Sequence, residues 1–271
     1  MPELPEVEEV RRTLESFIKG SAIQRIQLLR ADYLRHASFN LNRLLNHCVQ
    51  KVHRHGKTIF CQFDDQQTLV FHLGMTGRLI CLPRNIQPAP HTHIIFELSS
   101  GHDLHVTDPR RFGGVWHYAN AQEALFEHID KNRGVDALQL NAKHLAGWSG
   151  RKIGLKAELL SQRSVAGLGN IYVDEALWRA RLHPMMRIGN ISATQLKRLI
   201  SAIQKVLLAS IHLGGTTLRD YRNVNQQKGA FAARLRVYGH SGRTCRRCKH
   251  KLKTITISGR TTVFCPRCQH M

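Results

Sequence analysis

The sequence predicts an α+β chain: a leading helix against an antiparallel β-sandwich or barrel, then a helical second half, then a small ribbon built on four cysteines. Val7, Val10, Leu14 and Phe17 recur at helical spacing near the start. Short β-rich runs punctuated by Gly and Pro fill the stretch from Ile23 to Tyr118. Cys245-x2-Cys248 is echoed by Cys265-x2-Cys268 after sixteen intervening residues.

Taken in order, the first helix is stopped by Gly20. The spacing then predicts strands at Thr58 to Phe63, Thr68 to Leu73, His93 to Leu98 and Asp103 to Thr107, with Pro83 to Pro90 a loop. Past Asn120 the pattern turns helical. Leu155 to Ser161 and Ile171 to Ala180 flank a glycine-rich turn, and Leu196, Leu199, Ile203, Val206, Leu207 and Ile211 mark a long amphipathic helix ended by Gly214-Gly215. Gly214 to Gly229 reads as a flexible loop, and Val237 onward as a terminal module. The expected division is 1–132, 133–236 and 237–271.

Lys+Arg number 40 against 19 Asp+Glu, a formal net charge of +21. That excess favours a polyanionic partner, with nucleic acid first because basic side chains displace counterions from phosphates. An anionic membrane fits less well, since the charge is dispersed and not gathered on one amphipathic helix. No basic-then-apolar leader and no run of spanning length is visible, so the chain is expected to be cytoplasmic. Seven cysteines in that setting argue for thiols and metal over disulfides, with Cys48, Cys61 and Cys81 as buried structural thiols.

Cys245, Cys248, Cys265 and Cys268 offer two grips on one tetrahedral ion. Zinc fits best, iron-sulfur ligation being the minor alternative. Four thiolates leave no open position, so the ion is expected to be structural and to hold a small basic hairpin with Arg260 near its tip.

Removal of Met1 would place a secondary amine, Pro2, beside the carboxylate of Glu3. Such an amine can form an iminium with an aldehyde-like carbon while the acid moves protons, and an α-amino group with pKa near roughly 8 keeps a useful neutral fraction. Pro near a helix start has an ordinary reading too. Arg54-His55-Gly56-Lys57 opens a strand, Met75 lies between glycines in His72-Leu73-Gly74-Met75-Thr76-Gly77, and Asp108-Pro109-Arg110-Arg111-Phe112-Gly113-Gly114 presents Arg and Phe on a turn. Met75 is either core packing or a wedge that unstacks bases. Val165 to Tyr172 places small residues before a helix start, where Asn170 is either a plain cap or a cap that also meets phosphate.

Those segments, with Pro2-Glu3-Leu4-Pro5-Glu6-Val7-Glu8, Gly169-Asn170-Ile171-Tyr172, Gly214-Gly215-Thr216-Thr217-Leu218 and the four-cysteine tail, resemble bacterial formamidopyrimidine-DNA glycosylase in order from one end to the other. The resemblance implies a helix-two-turn-helix middle domain, a lesion-covering loop, a zinc ribbon and a bifunctional base-excision repair enzyme. Such an enzyme removes 8-oxoguanine and formamidopyrimidines and then cuts the abasic strand by β,δ-elimination. It implies Pro2 as nucleophile on C1′, Glu3 as acid-base residue, and Lys57 in support. Met75, Arg110 and Phe112 would fill the gap left by the extruded nucleotide, with Arg110 facing the orphan cytosine. Asn170 and Arg260 would pin flanking phosphates, Arg260 also aiding the second elimination. His91, Arg151, Lys152 and Lys156 fall at further DNA or lesion contacts. The implied partner is damaged duplex DNA, bound by a monomer with one structural zinc and no small-molecule cofactor.

Flipping a nucleotide costs about a few kcal/mol, which a wedge and clamped phosphates would offset. Two segments depart from the family pattern: Gly134-Val135-Asp136-Ala137-Leu138 replaces Gly-Pro-Glu-Pro-Leu, and Asn225 to Phe231 replaces Asp-Gly-Lys-Pro-Gly-Tyr-Phe in the lesion loop. Lesion ranking is therefore not implied. An endonuclease VIII type is opposed by Leu4, Met75 and Phe112, and a non-catalytic damaged-DNA binder by an intact Pro2, Glu3 and Lys57.

Overall fold

The structure, a computed structural model, describes residues 2–35, 40–131, 133–217 and 223–271. Met1 and Leu218, both used in the sequence reading, lie outside them. The chain divides into two compact units, Met1–Lys131 with Leu213–Ala230, and Asn132–His212 with Phe231–Met271.

In the first unit α1 (Leu4–Ile18) turns Val7, Val10, Leu14 and Ile18 into the core, as its 3.6-residue period requires, and ends before Gly20. Eight strands follow: β1 (Ile23–Leu28), β2 (Val49–His55), β3 (Thr58–Phe63), β4 (Thr68–His72), β5 (Arg78–Pro83), β6 (Thr92–Leu98), β7 (His102–Thr107) and β8 (Gly114–Tyr118). They form two antiparallel four-stranded sheets, ordered β1-β6-β7-β5 and β2-β3-β4-β8. Ile59, Cys61, Leu69 and Phe71 of one sheet share a buried cluster with Leu79, Ile94, Phe96 and Leu104 of the other, so the expected sandwich is the form adopted. Pro83 fits because β5 is an edge strand. The short α2 (Ala121–Leu125) puts Ala124 against Phe60, Val70 and Tyr118.

The segment Leu213–Ala230 closes at its base. Thr216 bridges Ala230, Ala230 N–H donates to Leu213 O at 2.9 Å, and Gly229 N–H donates to Thr217 Oγ1 at 2.8 Å.

The second unit is helical, with α3 (Leu155–Leu160), α4 (Asn170–Ala180) and α5 (Ala193–His212), and a short parallel pair of β9 (Val135–Asp136) and β10 (Val165–Ala166). A hairpin of β11 (Lys253–Ile257) and β12 (Arg260–Phe264) completes it, with Val237, Leu252 and Val263 packed on three of the cysteines. Among the described residues no helix is long and apolar enough to cross a membrane.

Candidate active site

Pro2 and Glu3 sit buried at the head of α1, where Glu3 is the extended cap residue and Pro5 occupies the first turn. The Glu6 carboxylate reaches back to the Glu3 backbone N–H at 2.8 Å, fixing the terminus from within its own helix. Its other oxygen accepts the Thr216 backbone N–H at 2.7 Å. Lys57, placed by the tight connection between β2 and β3, is also buried, at 7% exposure. The next turn of α1 carries Glu8, held by Arg11, Arg12 and Arg54 at 3.0, 2.8 and 3.0 Å. Burial raises the Glu8 pKa, but Arg11 and Arg54 outweigh it and hold the carboxyl below its usual range.

The same unit brings the expected wedge residues together through Asp108, which has no exposed surface. Its carboxylate accepts from Thr76 Oγ1 at 2.5 Å, the Gly113 N–H at 2.9 Å, the Arg110 N–H at 3.2 Å and Tyr33 Oη at 3.3 Å. Burial, with the Asp108 charge added, pushes the Tyr33 phenol far up, so it stays a donor. His91, in a left-handed conformation, accepts the Asp108 N–H at 3.1 Å through its carbonyl. The two turns meet backbone to backbone: at Gly74, with φ +56°, a Cβ would lie 2.5 Å from Gly113 N. Met75 and Phe112 are left 39% and 57% exposed, and the Arg110 guanidinium lies 4.6 Å from the Phe112 ring centre. Exposed apolar tips on rigid turns suit insertion better than core packing.

In the second unit α4 anchors the ribbon along one face. Asn170 Nδ2 donates to Thr261 O at 2.9 Å, Asp174 accepts the Val263 N–H at 3.1 Å, and Trp178 Nε1 donates to Cys245 Sγ at 3.4 Å. These positions are four residues apart, which stacks them on a helix. Glu175 accepts the backbone N–H groups of Arg236, Val237 and Tyr238, each at 2.9 Å. Gly169, not Asn170, is the helix cap; Asn170 begins the helix and spends its amide on the hairpin. Arg260 follows the two-residue turn Ser258-Gly259, both at positive φ, and is exposed at the hairpin tip.

Arg151 and Lys152 are exposed, Arg151 reaching Glu158 at 3.2 Å. Lys156 does not join them at the surface. It has no exposed surface, and its ammonium meets Asp174 at 2.5 Å, because the inward face of α3 carries it into the core. Burial pushes the Asp174 carboxyl up, with Lys156 and the Val263 N–H pulling against that rise.

The four cysteine sulfurs lie within 4.8 Å of one another, Cys245 to Cys268 at 4.0 Å and Cys248 to Cys265 at 3.4 Å. A tetrahedron of zinc-sulfur bonds of about 2.3 Å has edges near 3.8 Å, so the cluster is positioned to bind one zinc ion. Glu6, Asp108, Glu175 and Asp174 were not singled out by role from sequence, since a carboxylate bound to backbone N–H groups leaves no motif.

Comparison with known proteins agrees over the whole length. Residues 1–115 match the formamidopyrimidine-DNA glycosylase N-terminal domain, 121–222 the formamidopyrimidine-DNA glycosylase H2TH domain, and 242–270 the zinc finger found in FPG and IleRS. The formamidopyrimidine-DNA glycosylase of Novosphingobium aromaticivorans is 41% identical, covering 99% of this chain and 100% of the relative. That of Thermomicrobium roseum is 38% identical over 99% of each. A Lactococcus lactis FPG variant in complex with Fapy-dG DNA has a TM-score of 0.92 at 31% identity, with 100% of both chains covered. The Lactococcus lactis Fpg complex with abasic-site DNA gives 0.90 at 30% identity, over 99% of this chain and 100% of that one.

Proposed function

The chain belongs to the formamidopyrimidine-DNA glycosylase family, whose members are DNA glycosylases and abasic-site lyases, and from that membership we propose that it removes 8-oxoguanine and formamidopyrimidines from duplex DNA and cuts the abasic strand. The observation that carries the reading is the buried, internally fixed head of α1, which aims Pro2 and Glu3 from a rigid helix.

With Met1 removed, the neutral Pro2 nitrogen attacks C1′ of the lesion nucleotide, and the glycosidic bond breaks with its electron pair leaving on the base. Glu3 supplies a proton to open the sugar ring, giving an iminium between Pro2 and C1′. The iminium draws electrons, so loss of the C2′ proton expels the 3′ phosphate and a second elimination expels the 5′ phosphate. Lys57 supports these transfers with its buried charge. Met75 and Phe112 fill the vacated stack, and Arg110 donates to the orphan cytosine. Asn170 and Arg260 hold phosphates, with Arg151, Lys152 and His91 as flanking contacts. Zinc keeps the hairpin rigid and enters no step. The protein acts as a cytoplasmic monomer on damaged duplex DNA.

Borohydride trapping on an 8-oxoguanine duplex tests this. We expect a covalent adduct with wild type, none with Pro2→Gly, and an intact mass lacking Met1. An active preparation that retains Met1, or wild type without adduct, would overturn the assignment.

A further inference from the structure

Away from these residues, the second unit holds a cavity of about 430 Å³ beside the cysteine cluster. Arg181, Arg198, Arg247 and Arg267 line it, with Gln195 and His270. They come from separate elements. Arg181 caps α4, Gln195 and Arg198 lie in the first turns of α5, and the others belong to the ribbon. Among the described residues no Asp or Glu forms an ion pair with any of the four arginines.

Guanidinium groups gathered without carboxylates focus a positive potential that favours an anion beside them. The metal centre is the first candidate, since Cys248 and Cys268 also line the cavity. A zinc ion on four thiolates carries a net charge of about −2, which offsets only half of four guanidinium charges. Arg247 is moreover held in place, its Nη1 donating to Trp178 O at 3.1 Å and its guanidinium 4.2 Å from the Trp178 ring centre. The first turn of α5 adds the positive end of a twenty-residue helix at the wall.

We propose that this cavity is a second anion site, for a ligand bearing at least two phosphate charges, a diphosphate group in its simplest form. The planar fork of arginine matches phosphate oxygens in pairs, and several forks suit a diphosphate better than one carboxylate. The cavity size falls in the usual ligand range of about 300–1,000 Å³. Two sources carry this chemistry, a free phosphorylated small molecule and the backbone of DNA.

The test titrates the zinc-loaded full chain with inorganic pyrophosphate, followed by calorimetry and phosphorus NMR. The comparison is the double variant Arg181→Asn/Arg198→Ala; Asn is chosen because position 181 is left-handed. We expect sub-millimolar binding that weakens about tenfold or more in the variant, with zinc content and melting temperature unchanged. Pyrophosphate that stays bound beside saturating abasic duplex identifies a free phosphorylated ligand. Displacement by duplex, together with weaker duplex binding by the variant, identifies DNA backbone. Absence of binding at millimolar pyrophosphate, or equal affinity in wild type and variant, overturns the proposal. Displacement by duplex that the variant binds undiminished does so too.

Discussion

One carboxylate, that of Glu6, takes the backbone N–H of Thr216 at 2.7 Å with one oxygen and that of Glu3 at 2.8 Å with the other. Glu6 is 2% exposed, so both bonds are charge-assisted in a dry setting. The head of α1 and the base of the Leu213–Ala230 segment are thereby one mechanical piece. Each such bond contributes about 1.5–3 kcal/mol, enough to slow excision of 8-oxoguanine about tenfold in Glu6→Gln, which keeps only one acceptor. Thr216→Pro removes the Thr216 bond to Glu6 and leaves the Glu3 bond in place. Single-turnover assays should show it slowing base excision while cleavage of a preformed abasic site stays near wild type. Equal losses on both substrates would show that the segment does not act separately from the nucleophile.

Asp108 ties the Met75 turn to the Arg110–Phe112 turn through Thr76, Gly113 and Arg110. Asp108→Ala leaves these donors without their acceptor and lets the turns drift. Excision opposite cytosine relative to adenine should then fall about tenfold, since a misplaced bidentate contact loses about 1–3 kcal/mol of discrimination. Asp108→Asn, which keeps one oxygen, should lie between. Paired excision assays on the two duplexes give the ratio.

Glu8 sets an acid limit on the first unit. Burial alone would raise its pKa, but Arg11 and Arg54 hold it below the usual value near 4.5. A folded pKa lower than the unfolded one contributes stability that is complete above about pH 4.5 and is lost as pH falls through the folded value. Glu8→Gln should therefore cost about 2 kcal/mol at neutral pH and lose less on acidification than wild type does. Urea melts at pH 7 and pH 4 measure both. A variant whose stability falls as steeply with acid as wild type would exclude Glu8 as the group responsible.

Much of this was legible in the sequence, for definite reasons. The helical period of Val7, Val10 and Leu14 and the Cys-x2-Cys spacing are local, so α1 and the metal site could be read directly. The four named strands differ from the observed ones by a residue or less at either end, since alternation is also local. What stayed hidden depends on distant backbone. Glu6 and Thr216 are 210 residues apart, and Asp174 meets Val263 across 89. Lys156 was placed among DNA contacts by resemblance, and only packing shows it fully buried. Capping preference pointed to Asn170, yet the cap is Gly169 and Asn170 is the first residue of the helix.

Metal removal should be visible in tryptophan emission. Trp178 donates to Cys245 Sγ at 3.4 Å and carries the Arg247 guanidinium on its ring. Stripping zinc with a chelator releases the thiolates, and the cysteines make up half of the ribbon's small core. Emission should shift to the red, and affinity for an abasic duplex should fall about tenfold or more as the Arg260 tip loses its support. Restoring zinc should reverse both. Cys248→Ser should reproduce the chelated state without added chelator, and retained affinity in that variant would separate the ribbon from DNA binding.

The Lys156–Asp174 pair holds the hairpin from inside the second unit. Asp174 uses one oxygen for the ammonium and the other for the Val263 N–H, two residues past Thr261, which Asn170 holds. Both charges are wholly buried, so removing one strands the other at a cost of about 3–5 kcal/mol. Lys156→Met should lower the melting temperature sharply. Lys156→Met/Asp174→Leu should recover much of that loss, because a buried pair exchanged for apolar volume is often neutral. The double variant still lacks an acceptor for the Val263 N–H, so recovery of stability should exceed recovery of strand cutting. That split between melting and nicking distinguishes a residue that positions the Arg260 hairpin from one that only packs the core. A lysine that touched DNA would instead change the salt dependence of binding, and neither variant should do so.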